Sequence, residues 1–105
     1  MIARIWRGTV RPEDADAYVA YVEQTGIRNY RETAGNISAH ILRRDLEGQT
    51  EIVTLTFWES MDAIRAFAGD DPELARYYPE DDRYLIERPR NVEHFQVPVS
   101  SADLN

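Results

Sequence analysis

Residues 57–82 read Phe57-Trp58-Glu59-Ser60-Met61-Asp62-Ala63-Ile64-Arg65-Ala66-Phe67-Ala68-Gly69, then Asp70-Asp71-Pro72-Glu73-Leu74-Ala75-Arg76, then Tyr77-Tyr78-Pro79-Glu80-Asp81-Asp82. The first part is a strand delivering into a capped helix. Glu51 to Trp58 is rich in β-branched and aromatic residues and alternates at the strand period. The Ser60 hydroxyl can accept an orphan backbone N–H and so cap the helix. Asp62 stands in the first turn, where the helix dipole favours negative charge, and Gly69 supplies the stop. Trp58 therefore ends a strand just before the cap. An aromatic at that edge can line a pocket between sheet and helix.

Working outward, Met1 to Val10 reads as a first strand. Pro12, Glu13 and Asp14 open a helix, whose apolar face is Ala15, Tyr18, Val19 and Val22. Gly26 is expected to interrupt it, with a second short helical piece from Ile27 to Thr33. Asn36 to Arg44 is a second strand, joined to the third by a hairpin loop from Asp45 to Gln49. Asp70 to Glu87 is broken by Pro72 and Pro79, with one helical turn expected over Glu73 to Tyr77. Long segments of this kind in compact domains are often functional. Val92 to Val97 is the last strand.

The order is βαββαβ, a ferredoxin-like α+β plan with a four-stranded antiparallel sheet and helices on one face. Residues 1–98 form one domain and 99–105 a C-terminal tail. Read by parity, one sheet face collects Ala3, Ile5, Ile37, Ala39, Ile41, Val53, Leu55, Phe57, Phe95 and Val97, expected under the helices. The other collects Ile2, Arg4, Trp6, Ser38, His40, Leu42, Ile52, Thr54, Thr56, Trp58, Val92, His94 and Gln96. Its two Trp and large aliphatics would make too large an apolar patch for a monomer. A second copy packed sheet to sheet would cover it, so a homodimer is expected.

The formal net charge of −7 argues against nucleic acid and anionic membranes as partners, which need a positive field. No apolar run is long enough to span a bilayer, and the start alternates as a strand rather than a leader. The expectation is a soluble cytoplasmic protein. The chain has no Cys, which excludes disulfides and thiolate chemistry. All twelve cations are Arg, which excludes a Schiff-base lysine.

Trp58-Glu59-Ser60, Ala63-Ile64-Arg65-Ala66-Phe67 and Tyr77-Tyr78-Pro79-Glu80-Asp81 resemble the antibiotic biosynthesis monooxygenase family of small dimeric α+β barrels. Ile2-Ala3-Arg4-Ile5-Trp6 and Val92-Glu93-His94-Phe95-Gln96-Val97 fit the resemblance too. It implies oxidation without cofactor or metal, in which the deprotonated substrate itself reduces O₂. Of the residues typical of anthrone-oxidising members, Trp58 is kept and Arg76 stands for the Arg. The Asn position holds Thr54 and the Tyr position Ile64. Haem-degrading relatives carry an Asn in the first strand, a Trp and a His. Here Met1 to Val10 has no Asn, and Phe67 and Tyr77 stand at the other two positions. Tyr77 remains a possible ligand to ferric haem.

On this reading Trp58, Phe67, Tyr77 and Tyr78, with Ile64 and Thr54, bind a small aromatic or hydrophobic molecule. His94 accepts a proton, its ordinary pKa lying near operating pH, and Arg76 steadies the developing anion. Each has a plainer reading: His94 a polar residue at the dimer seam, Tyr77 and Tyr78 loop packing, Arg76 a surface ion pair. His40 and His94 lack partners at metal-ligand spacing, and Glu80-Asp81-Asp82 reads as a solvated acidic turn, so no metal is expected. The activity expected is that of a cofactor-independent monooxygenase or oxidase. The alternative is a non-redox ligand-binding dimer, or a cyclase or isomerase using the same pocket.

Overall fold

A computed structural model describes residues 1–101; residues 102–105 of the expected tail lie outside the described residues. The chain runs β1 (Ile2–Val10), a 3-10 turn (Pro12–Asp14), α1 (Ala15–Val22), a π-helical stretch (Glu23–Ile27) and α2 (Arg28–Glu32). Then follow β2 (Asn36–Leu46), β3 (Gln49–Trp58), α3 (Met61–Ala68), α4 (Asp81–Tyr84), β4 (Leu85–Glu87) and β5 (Glu93–Gln96). β1 pairs antiparallel with β3 from Ile2 opposite Trp58 to Val10 opposite Thr50. β2 pairs with the other edge of β3.

The ferredoxin-like α+β plan is present, with one change. The sheet has five strands rather than four, because the last edge is divided. β4 pairs with β1 at Thr9 and Val10, and β5 pairs with β1 at Ile2 to Ile5. Pro89 stands between them and has no N–H to continue a ladder.

Two local expectations are overturned. Gly26 does not break the first helix, which continues through it as a π turn into α2. A Cβ at Gly26 would lie 3.7 Å from Tyr30 and 3.8 Å from Val22, in ordinary contact. Nor is Glu73 to Tyr77 helical. Its backbone pairs across to the segment before β5, with Ala75 N–H donating to Arg90 C=O at 2.7 Å and Val92 N–H to Glu73 C=O at 2.8 Å. α3 forms as read: Ser60 Oγ accepts from Ala63 N–H at 3.2 Å.

The sheet faces are the reverse of the parity reading. The helices cover Arg4, Trp6, Val10, Ile52, Thr54, Thr56 and Trp58, all buried. The uncovered face carries Ile5, Leu42, Leu55, Phe57 and Phe95, with Leu42 46% and Phe95 51% exposed. β2 also runs one step out of the assumed phase. Ala39 lies opposite Thr56 and Ile41 opposite Thr54, so Ala39 and Ile41 do join the helix-covered face. The shift stems from the irregularity between Asn36 and Ser38.

The interior divides in two. Trp6, Val10, Ala15, Tyr18, Val22, Ile52 and Val92 form one cluster, between the sheet and α1. Tyr30, Trp58, Ile64 and Phe67 form the other, between α2, β3 and α3.

Candidate active site

Along the helix-covered face of β1, Arg4 and Trp6 project inward, with Thr54 beside them on β3. Gly8 leaves room for the Trp6 indole, since a Cβ there would meet the ring at 2.5 Å. The indole N–H donates to the Tyr77 hydroxyl at 3.2 Å, and that hydroxyl donates to the Pro89 carbonyl. These bonds fold the 76–81 segment over the sheet as a roof.

Between roof, sheet and first helix lies a cavity of about 30 Å³. Its walls include Arg4, Trp6, Tyr18, Tyr30, Thr54, Arg76, Tyr77, Tyr78 and Asp81, with Gly26 from the π stretch. Five of these are aromatic. The Tyr78 hydroxyl accepts from Asn29 Nδ2 at 2.7 Å, tying the roof to α2. Arg76 Nη1 donates to the Phe67 carbonyl at 2.8 Å, and its guanidinium lies 4.9 Å from the Phe67 ring and 5.4 Å from the Tyr78 ring.

Thr54, Arg76, Tyr77 and Tyr78 are thus brought together as the sequence reading grouped them. Trp58, Ile64 and Phe67 are not in the cavity wall. Trp58 is wholly buried, with its indole N–H donating to Thr56 Oγ1 at 2.8 Å. Tyr30 packs edge-on against it at 6.0 Å and stands between it and the cavity. The space beside Trp58 is therefore filled by Tyr30, Phe67 and Ile64.

His94 lies on β5 directly opposite Arg4. Its Nδ1 is 3.3 Å from Glu73 Oε1, and its Nε2 is buried with no hydrogen-bond partner. Burial, then the nearby Arg4 charge, hold its pKa below the ordinary value, against an opposing pull from Glu73. The imidazole is consequently a neutral base at neutral pH. It is not part of the cavity wall; Arg4, its partner across the β1–β5 pair, is.

Arg4, Tyr18, Tyr30 and Asp81 are cavity residues that the sequence reading did not select. Asp81 also corrects the view of 80–82 as a solvated turn. It is 4% exposed, accepting from the Tyr18 hydroxyl at 3.0 Å and from the Tyr78 backbone N–H at 2.6 Å. Burial, then the Asp81 carboxylate, push the Tyr18 phenol pKa up, so it stays a neutral donor. The signal for Asp81 was its place two residues beyond Pro79, at the start of a short helix; the flanking acids hid it.

Haem does not fit these residues. The cavity is far smaller than a porphyrin, and the Tyr77 hydroxyl is held by Trp6 and Pro89. Burial also raises the Tyr77 pKa, against phenolate formation. Among the described residues, no group of three or more His, Asp and Glu side chains is placed to hold a metal.

The sequence model of the antibiotic biosynthesis monooxygenases matches residues 1–74, about 70% of the chain. The chain belongs to that family. Its matched part ends just before the cavity roof, so Arg76 to Asp81 and His94 lie outside it. Solved structures carry the same fold across nearly the whole length. Rv0793 from Mycobacterium tuberculosis is 21% identical with a TM-score of 0.68, covering 96% of this chain and 98% of its own. A candidate antibiotic biosynthesis monooxygenase from Bacillus cereus is 21% identical with a TM-score of 0.65, covering 97% of each chain. The M. tuberculosis heme-degrader MhuD, solved with two hemes in its active site, is 17% identical with a TM-score of 0.60, covering 97% of this chain and 100% of its own. No curated protein sequence matches the chain. At these identities the structural likeness establishes the shared fold alone. No helix among the described residues is long and apolar enough to cross a membrane.

Proposed function

We propose that this protein is a homodimeric, cofactor-independent monooxygenase or oxidase acting on an aromatic, polyketide-like or quinol molecule bound in the cavity beneath Tyr77 and Tyr78. The observation that carries the reading is the composition of that cavity: five aromatic walls with arginine at floor and rim, and a neutral, half-buried imidazole beside the floor arginine. Stacking surfaces hold a flat substrate, and guanidinium groups favour its deprotonated form.

In the reaction, with the roof open so that the substrate reaches the imidazole beside Arg4, His94 accepts the proton of an acidic substrate C–H or O–H. Arg76 lies against the electron-rich anion, which passes one electron to O₂. Recombination of substrate radical and superoxide gives a hydroperoxide. Loss of water then leaves a carbonyl, so that CH₂ and O₂ become C=O and H₂O. A quinol instead gives up two electrons and two protons, yielding quinone and hydrogen peroxide.

A cavity of about 30 Å³ is well below the roughly 300–1,000 Å³ of ordinary ligand sites. A polycyclic substrate therefore requires the 76–81 roof to swing open. The same small volume favours a second reading, a non-redox binding dimer or a cyclase or isomerase for a smaller ligand. Oxygen uptake by the as-purified protein, with a panel of quinols and hydroxyanthracenes, separates the two. Uptake with product formation supports the oxygenase; binding without uptake supports the second reading.

A further inference from the structure

We propose that Arg4 is the receptor for an oxyanion carried by the ligand, a carboxylate or an acid-strength enol, with Arg76 as its partner at the rim. The inference rests on the cavity being the ligand site but on no redox step. Arg4 is 2% exposed, the only fully buried cation among the described residues. Its guanidinium has no carboxylate within ion-pair distance; of the described ion pairs none includes Arg4 or Arg76. Its protein partners are few. Nη2 donates to the Leu74 carbonyl at 3.3 Å, and the Phe67 ring lies 5.6 Å away. Nε is buried and has no acceptor at all.

Burying a charge with unsatisfied donors is expensive unless something pairs with it. The carboxylate that acts on Arg4, Glu73, and the one that shares its cavity, Asp81, both have other partners. Glu73 is bonded to His94, and Asp81, in the same cavity wall, accepts from Tyr18 and from the Tyr78 backbone. With two guanidinium groups and one occupied carboxylate, the cavity keeps a net positive charge inside a protein of net charge −7. A planar oxyanion is what the free Nε edge of a guanidinium is shaped to take. The substrate class is thereby narrowed from aromatic molecules in general to those that carry an anionic group when they bind, with the C–H or O–H that reacts elsewhere on the molecule.

The test uses benzoate and its uncharged isostere benzamide as probes, with binding read by calorimetry and by the ¹⁵Nε resonance of Arg4. Benzoate is expected to bind about 10- to 100-fold tighter than benzamide, the range of a charge-assisted hydrogen bond, and to shift the Arg4 Nε signal. Arg4→Met should erase that preference. It should also raise the melting temperature, because an unpaired buried charge is replaced by an apolar chain of similar length. Equal binding of the two probes, or an Arg4 Nε signal unmoved by saturating benzoate, would overturn the assignment. So would an Arg4→Met protein that is less stable yet keeps the preference. Oxygen uptake is not part of this readout, so a failed oxygenase reading leaves it standing.

Discussion

Arg4 and His94 stand directly opposite one another on β1 and β5, and each keeps a buried nitrogen without a hydrogen-bond partner, Nε of the guanidinium and Nε2 of the imidazole. Unsatisfied buried polar atoms are rare in folded proteins. Two of them stand in register at this end of the sheet, beside the cavity.

That pairing gives a pH dependence. Burial and Arg4 hold the His94 pKa below its ordinary 6.5. As pH falls, the unfolded chain takes up the proton first, so His94 costs stability from about pH 6.5 downward, until the folded pKa is passed. Urea midpoints measured across pH 4–8 should therefore show an acid-side slope that shrinks in His94→Gln. The same residue carries the proton in the proposed reaction, so His94→Ala should lower turnover by ~10²–10⁴-fold. His94 shares the helix-covered face with Arg4, away from the uncovered face, so normal turnover in a folded His94→Ala protein would move the proton-accepting role to another group.

Trp58 is expected to behave as packing. It fills the space against Tyr30, Ile64 and Phe67 and does not meet the cavity. Trp58→Ala should cost about 3–5 kcal/mol of stability. Trp58→Phe should cost less and keep its turnover per folded molecule. Loss of turnover in Trp58→Phe with an unchanged melting curve would restore a chemical role.

The uncovered sheet face predicts the assembly. Ile5, Leu42, Leu55, Phe57 and Phe95 share it around a shallow depression flanked by Arg7 and Arg44. An obligate dimer would bury roughly 2,000 Å² or more there. Sedimentation from high to low micromolar concentration should give twice the chain mass, and Leu42→Glu should shift it to monomer. A wild-type monomer that stays folded at micromolar concentration contradicts this.

Much of the fold was readable in the chain, because the decisive signals are local. Ser60, Asp62 and Gly69 bracket α3 correctly, and the hairpin turns at Gly48 with φ 74°. The sheet faces were not readable. Both are apolar enough to be core, and the covered one carries Arg4, Thr54 and Thr56, which hydropathy assigns to the outside. Those polar residues break the core pattern because they sit in and around the cavity. Within the site, Tyr77, Tyr78 and Arg76 stood out by their clustering. Arg4 and Asp81 did not, since their burial depends on the 76–81 roof and on the pairing of residues 73–75 with 90–92 beside it.

The claim that this cavity is where chemistry happens can be tested by filling it. Gly26 lines the cavity from a helical position where a Cβ would make ordinary contacts with Tyr30 and Val22. Oxygen uptake with the quinol and hydroxyanthracene panel should therefore be measured for wild type, Gly26→Ala and Gly26→Leu. Uptake is expected in the first two, with a loss of at least about tenfold in Gly26→Leu, equivalent to 1.4 kcal/mol or more, and a melting temperature within a few degrees of wild type. Undiminished uptake in a folded Gly26→Leu protein would contradict that claim.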